Sequence, residues 1–408
     1  MLANWAFQPF GTIQVNMSPE LNRNHQMARP SNHFFTAGLL LTTLLMIACS
    51  ESTPEASPPL AVANLDGLEP GWNVIEPGGE TVCSDGSPYR FFVRPGASDK
   101  LMVFFQGGGA CWTGGSCDPD LDPTYRINLE EVDPAKYHGI FQFDNPQNPM
   151  KDHSVVFAPY CTADVHIGDS LAHYEAPQIE EHQPHPVTIQ HRGYTNSDAI
   201  LDWAFAHFFR PSEIFVTGSS AGSIPSPYYT MRISEQYPEA RIAQLGDGSG
   251  GYRLNGQQTR PQDQWGTMDR MRQLPEFESL QSENFNYEIL YIAAAKRHPD
   301  IVFTKYDTAE DSVQKRFLDL AGDAPDSLLT FIEANQADIQ SEVSNFHAYI
   351  AGGDLHTILG RPEFYSYHAN GTLFREWIAA LVNGEAISDV RCADCSQPPV
   401  VASSVSSN

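Results

Sequence analysis

The run Gly218-Ser219-Ser220-Ala221-Gly222 stands directly behind the apolar stretch Ile214-Phe215-Val216. A serine in G-x-S-x-G, at the point where a strand turns sharply into a helix, is a nucleophile elbow. Small flanking residues permit the tight turn and leave the hydroxyl exposed at the top of a sheet. The chemistry this predicts is attack of Ser220 on an acyl carbon. It needs a base, an acid to orient the base, and N–H donors for the developing oxyanion. The bland alternative is a Gly/Ser loop joining strand to helix in a chain with 30 glycines. The preceding strand and the partners below argue against it.

Oxyanion donors are found in Gln106-Gly107-Gly108-Gly109-Ala110-Cys111-Trp112, which follows another apolar run. Glycines there let backbone N–H groups of Gly108 and Gly109 approach a substrate oxygen, and Ala221, just after the nucleophile, supplies another. A phosphate-binding loop would want a lysine or a basic helix next, and Cys111 and Trp112 follow instead. Among the 14 histidines, His347, His356 and His368 come after the candidate acids. His356 sits in the glycine-rich stretch Ala351-Gly352-Gly353-Asp354-Leu355-His356-Thr357, the kind of loop at a strand end where a catalytic histidine belongs. Asp307 and Asp311, after the apolar run near residue 303, are both candidates for the orienting acid, and the residues alone do not choose between them.

These groups must be carried by a scaffold. Apolar runs at 100–105, 154–158 and 213–217 read as strands, and 196–208, 228–237, 283–298, 311–320 and 373–382 read as helices. Their alternation predicts an α/β fold: α/β-hydrolase-like, with a mostly parallel central sheet covered by helices on both faces, in a single domain over residues 65–395. Pro225 and Pro227 lie within two turns of Ser220, so the helix after the elbow must start late or bend.

Residues 34–48 form an uncharged apolar run ending at Ala48-Cys49, too short for a membrane span of about 20 residues. With Arg29 ahead of it, the stretch 1–48 reads as an export signal, and Cys49 as a lipidation site of a cell-surface or outer-membrane lipoprotein in a lipobox-like context, with a secreted or periplasmic protein as the alternative. Residues 49–64, rich in Ser, Pro, Glu and Ala, read as a flexible linker, and 396–408 as a loose tail. The other six cysteines fit three disulfides in an oxidising compartment, with about fifteen conceivable pairings. Short spacings favour Cys111 with Cys117 and Cys392 with Cys395, leaving Cys83 with Cys161. A zinc reading of Cys392 and Cys395 lacks a second pair. The net charge of −26 opposes nucleic-acid or anionic-membrane binding, and also capture of a strongly anionic polymer.

The strings Gly107 to Trp112, Pro159-Tyr160-Cys161-Thr162 with Asp164-Val165-His166, His191-Arg192-Gly193-Tyr194, Gly218 to Gly222 and Gly246-Asp247 resemble the pectin acetylesterase family, which includes the animal Notum carboxylesterases. The matches run in order from about residue 80 to 395. The resemblance implies an α/β-hydrolase fold, a metal-free Ser-Asp-His triad of Ser220, Asp311 and His356, and an oxyanion hole of Gly108, Gly109 and Ala221. Asp311 is preferred because it opens the family's D-x-x-Q motif, here Asp311-Ser312-Val313-Gln314. Family members usually carry a Trp directly after the glycines. Here Ala110 follows them and the Trp is Trp112, so the pocket wall differs and the substrate does not carry over with the fold.

By the same resemblance His166, like Trp112, is expected to line the substrate pocket. His153, His166, His173, His182, His185 and His191 cluster in sequence, with Glu180 and Glu181 among them, but their irregular spacing in a proline-rich stretch argues for no metal. Segments 118–145 and 175–190 are lid candidates on length alone. The sequence, with this resemblance, thus predicts an exported, cofactor-free serine esterase that removes acetyl groups from O-acetylated, pectin-like carbohydrate. The alternatives are a carboxylesterase for another ester, such as lipid or polyester, and a catalytically silent carbohydrate-binding protein at the cell surface.

Overall fold

The computed structural model describes residues 61–179, 183–253 and 260–399. The expected export signal, Cys49, most of the linker and the last residues of the tail lie outside them. Backbone bonds tie the chain into the body from Val62 onward: its carbonyl accepts from Phe209 and Arg210, and Asn64 N–H donates to His207.

Among the described residues the strands are β1 (Asn73–Ile75), β2 (Phe91–Arg94), β3 (Ala97–Phe105), β4 (His153–Ala158), β5 (Ser170–Glu175), β6 (Pro186–His191), β7 (Glu213–Ser219), β8 (Arg241–Asp247), β9 (Val302–Thr308), β10 (Phe346–Ala351), β11 (His368–Ala369), β12 (Thr372–Leu373) and β13 (Val390–Arg391). Nine of them form one sheet in the order β1-β2-β4-β3-β7-β8-β9-β10-β13. Only the β1–β2 and β2–β4 pairings are antiparallel. From β4 to β13 every neighbour runs parallel. The central strands are buried along whole stretches, Leu101 to Phe105 and Ile214 to Thr217 among them, because both faces of a parallel sheet are covered.

The α-helices are α1 (Gly114–Cys117), α2 (Gly193–His207), α3 (Ser226–Gln236), α4 (Pro261–Gln264), α5 (Thr267–Met271), α6 (Glu288–Arg297), α7 (Ser312–Leu320), α8 (Leu328–Glu342) and α9 (Phe374–Asn383). Helix α3 packs on β7 and β8 and against α6, α6 packs on α8, and α2 packs on β4. The elbow opens with a short 3₁₀ turn over Ser220–Gly222, and α3 begins only at Ser226 with Pro225 as its cap. That is the late start the two prolines require. Helix α8 is not anticipated by the sequence reading, and neither is the β5–β6 hairpin, which occupies the stretch read as a lid.

The three disulfides join Cys83 to Cys161, Cys111 to Cys117 and Cys392 to Cys395. The chain leaves β3, β7, β8, β9 and β10 on the same, carboxyl side of the sheet. Parallel strands therefore deliver the loop of Gly107 to Gly109, the elbow, Asp247, the two candidate acids and the histidine loop to one edge.

Candidate active site

Ser220 sits at φ +54°, a left-handed conformation that a serine adopts only where its surroundings enforce it. The enforcement is steric. A Cβ on Gly218 would stand 2.2 Å from the Gly222 carbonyl oxygen, and one on Gly222 would stand 2.1 Å from that of Phe105. Neighbouring strand β3 therefore presses on the elbow, and only glycine fits at either flank.

The glycine loop comes from β3 itself. Gly109 has φ +80°, and a Cβ there would meet the Thr124 carbonyl oxygen at 2.0 Å. A Cβ on Gly107 would approach Ser220 Cβ to 2.7 Å, which places this backbone against the candidate nucleophile. The loop is held from beneath. His166 Nε2 donates to the Gln106 carbonyl at 2.8 Å, and Tyr229 Oη donates to the His166 carbonyl at 2.6 Å. His166 is fully buried, and burial lowers its pKa to about 4, so the ring is neutral. The expectation that His166 lines the pocket is corrected: it is a prop under the glycine loop, and the adjacent Val165 reaches the cavity instead. Ala163, Val165 and His166 all have positive φ, so the turn that supplies this prop is itself strained.

His356 Nδ1 lies 2.7 Å from Asp311 Oδ2. Asp311 is wholly buried and caps α7: its Oδ1 accepts from the N–H of Val313 and Gln314 at 2.9 and 3.1 Å. A carboxylate at a helix N-terminus is favoured by those donors and by the helix dipole. Asp307 does not touch His356. Its Oδ1 accepts from Gly250 N–H at 2.7 Å and from Gln314 Nε2 at 2.9 Å, and burial raises its pKa to about 7. The geometry thus separates two acids that the residues alone left equal.

Asp247, at the end of β8, ties the elbow to the histidine loop. Its carboxylate accepts from Ser219 Oγ at 2.7 Å and from the N–H groups of Ile358 and Leu359 at 3.0 Å. Burial lifts its pKa to about 6. Farther along the loop, Leu355 O accepts from Thr308 Oγ1 at 3.0 Å, and Gly353 N–H donates to the Cys395 carbonyl at 3.1 Å. The reading of sequence quoted Asp247 in a motif without assigning it this anchoring role. Its position at a strand end, one strand from the serine, is the signal that could have found it.

Ser220 lies between two spaces. One is a small apolar cavity of about 50 Å³, walled by Trp112, Val165, Ile224, Trp265, Phe317 and Leu318. Trp112, expected to line a substrate pocket, is part of this cavity's wall. The other is a wide cleft of about 530 Å³ that holds His356, Gly108, Arg126, Lys136, His138 and Arg361. Gly109 and Ser220 border both spaces, and Ala221 borders the first. Ser220 and His356 face each other across this cleft without a formed hydrogen bond between Oγ and Nε2. A nucleophile and its base are often further apart in the absence of substrate than during reaction.

Segment 118–145 supplies Arg126, Lys136, Tyr137 and His138 to the cleft, as a lid candidate should. Segment 175–190 does not border Ser220: His185, Val187 and Ile189 line a separate groove with Ser84 and Tyr125. The cavity is covered instead by Pro261 of α4, by Trp265 and by α7, none of which the sequence reading assigned to it. The described histidines of the 153–191 cluster scatter. His173 pairs with Thr188, and His191 bonds the Thr162 carbonyl from the interior. Glu180, Glu181 and His182 lie outside the described residues.

Residues 74–288 match the family model described as Pectinacetylesterase. The palmitoleoyl-protein carboxylesterase NOTUM of Schmidtea mediterranea is 26% identical over 150 residues, covering 35% of this chain and 26% of that protein. Its human counterpart is 26% identical over 197 residues, covering 44% of this chain and 36% of that protein. The matches thus span about a quarter to a third of those relatives' length. The fold resembles that of the Wnt deacylase Notum from Drosophila, with a TM-score of 0.52 at 16% identity over 77% of this chain and 93% of that one. A matched segment that takes in more than half of the chain, together with an α/β-hydrolase-like sheet, makes the assignment plain: the chain belongs to the pectinacetylesterase family.

Proposed function

We propose that the chain is an exported serine carboxylic ester hydrolase that removes acetyl groups from acylated, anionic carbohydrate. The observation that carries this reading is the pair of spaces meeting at Ser220, a small apolar cavity and a wide cationic cleft. The cavity, at about 50 Å³, is a third of the ~150 Å³ that admits benzene. It suits a two-carbon acyl group and opposes a long acyl chain. The cleft carries Arg126, Lys136, His138 and Arg361, and no carboxylate side chain borders it among the described residues. A chain of net charge −26 therefore presents a positive wall where the alcohol part of the ester would lie, which reverses the expectation drawn from overall charge.

In this reading His356 Nε2 takes the Ser220 proton as Oγ attacks the ester carbonyl. Gly108, Gly109 and Ala221 donate backbone N–H groups to the oxyanion. The tetrahedral species collapses, the carbon–oxygen bond to the sugar breaks, and the imidazolium returns its proton to the leaving hydroxyl. Water, deprotonated by His356, then attacks the acyl-serine, acetate leaves, and Ser220 regains its proton. Asp311 holds the imidazole in the tautomer that presents Nε2 as base and stabilises its charged form.

Three disulfides support an oxidising compartment, and the apolar stretch before Cys49 supports export with a lipid anchor. No described helix is long and apolar enough to cross a membrane. The test measures acetate release from acetylated pectin and acetylated neutral xylan, alongside p-nitrophenyl acetate and octanoate, for wild type and S220A. Acetyl hydrolysis that vanishes in S220A, with pectin ahead of xylan, supports the reading. Preference for octanoate, or activity that survives in S220A, overturns it.

A further inference from the structure

On the far side of the oxyanion loop, the chain closes the Cys111–Cys117 disulfide around α1 and runs straight into Asp118-Pro119-Asp120. The β5–β6 hairpin brings His185 against this turn. One ligand atom from each of Asp118, Asp120 and His185 lies within 4.8 Å of the others. Asp118 is wholly buried, His185 is partly buried, and Asp120 is exposed.

The arrangement of the histidine identifies what the cluster fits. His185 Nδ1 lies 3.2 Å from the Gln183 carbonyl, which can only accept, so Nδ1 carries a proton. The other ring nitrogen, Nε2, lies 3.4 Å from Asp118 Oδ2. The spacing is informative. A charge-assisted N–H···O bond is about 2.7–2.9 Å long. Two ligands about 2.1 Å from one ion at a tetrahedral angle stand about 3.4 Å apart. The Asp120 N–H bond to Asp118 Oδ1, 3.0 Å, orients the carboxylate so that Oδ2 faces the imidazole. A ring whose second nitrogen is pinned to a backbone carbonyl is the usual outer support of a metal-binding histidine.

We propose that Asp118, Asp120 and His185 bind a divalent transition-metal ion, best suited to Zn²⁺. One imidazole with two carboxylates suits zinc, whereas calcium and magnesium prefer all-oxygen shells. The site borders none of the space around Ser220, so its role is to fasten the hairpin to the disulfide turn. The hairpin already presses close there: a Cβ on Gly114 would meet the Glu175 carbonyl oxygen at 1.8 Å. This inference stands independently of the esterase reading.

The experiment strips the full chain with EDTA, dialyses it, and titrates Zn²⁺, Ca²⁺ and Mg²⁺ by calorimetry with parallel thermal melts. Wild type binds about one equivalent of Zn²⁺ and its Tm rises by a few °C, with no comparable response to Ca²⁺ or Mg²⁺. D118N and H185Q lose that equivalent while hydrolysing p-nitrophenyl acetate at the wild-type rate. If wild type takes up no Zn²⁺, the contact is an imidazolium–carboxylate ion pair and the proposal is wrong. Uptake that persists unchanged in both variants places the ion elsewhere and also overturns it.

Discussion

Asp307 and Asp311 share a single amide: Gln314 Nε2 lies 2.9 Å from Asp307 Oδ1 and 3.0 Å from Asp311 Oδ2. Gln314 Oε1 is fixed in turn by the Gly251 N–H at 2.8 Å, so the amide can present both protons to the carboxylates and nothing else. Only Asp311 continues to the imidazole. D311N should therefore lower kcat by about 10⁴-fold through the wrong histidine tautomer, whereas D307N should cost less than about tenfold. Steady-state kinetics on p-nitrophenyl acetate separate the two, and equal losses would mean that the acids act as one unit.

Four buried carboxyl groups are shifted upward by burial: Asp164 and Asp307 to about 7, Asp247 to about 6, and Glu288 above its ordinary value. Each stabilises the fold when protonated, and that stability is lost as pH rises through these values. His153, His166 and His191 are depressed by burial to about 4, so their contribution is present above about 6.5 and lost as pH falls toward 4. The two groups oppose one another between about pH 4 and 6.5, and above that only the acids still titrate. Tm should therefore decline between about pH 6.5 and 8. D307N, read by differential scanning fluorimetry across that range, should flatten part of the decline.

Asp247 acts on the reaction only through what it holds. In D247N one of the two carboxylate oxygens becomes a donor facing the N–H groups of Ile358 and Leu359, and the histidine loop loosens. The expected result is a kcat reduced about 10- to 100-fold with KM changed less than about threefold. A rise in KM alone would indicate that the residue shapes substrate binding instead.

The cationic wall makes its own forecast. R126A and R361A should raise KM on acetylated pectin about tenfold and weaken its dependence on salt. On uncharged p-nitrophenyl acetate both variants should match wild type. Losses of equal size on both substrates would show that these arginines support the fold, not the polymer.

Phe317 borders both the apolar cavity and the cleft, so its removal widens the apolar cavity. F317A should raise the butyrate-to-acetate ratio of kcat/KM about tenfold, within the range that one or two methylenes command. An unchanged ratio would mean that α7 does not limit chain length.

Much of this site is legible in sequence because parallel strands are written as unbroken apolar runs and their exits as glycine or acidic turns. The runs before Gly107, Ser220 and Asp307 are of that kind, and so is the glycine-rich stretch around His356. What escapes is the lateral arrangement. His166 reads as a pocket residue by resemblance to the family pattern, yet a strained turn directs its ring beneath the loop. Helix α8 carries a usable start at Ser327, but its mixed polar and apolar residues give no clear stripe. The walls of the apolar cavity come from α4, α7 and Trp265, far apart in sequence, and only packing brings them together. Asp311 and Asp307 become distinct only through one glutamine and one histidine in space.

The contact between β3 and β7 has one further consequence. The glycine loop and the serine turn leave adjacent strands paired in register from Lys100 with Glu213 to Phe105 with Gly218, so the reacting centre belongs to a single rigid seam. The apolar cavity and the basic wall of the cleft are hung on that seam by separate excursions of the chain. Selection can thus rebuild either excursion for a different ester without re-cutting the seam, which makes this architecture modular: one fixed engine with exchangeable fittings.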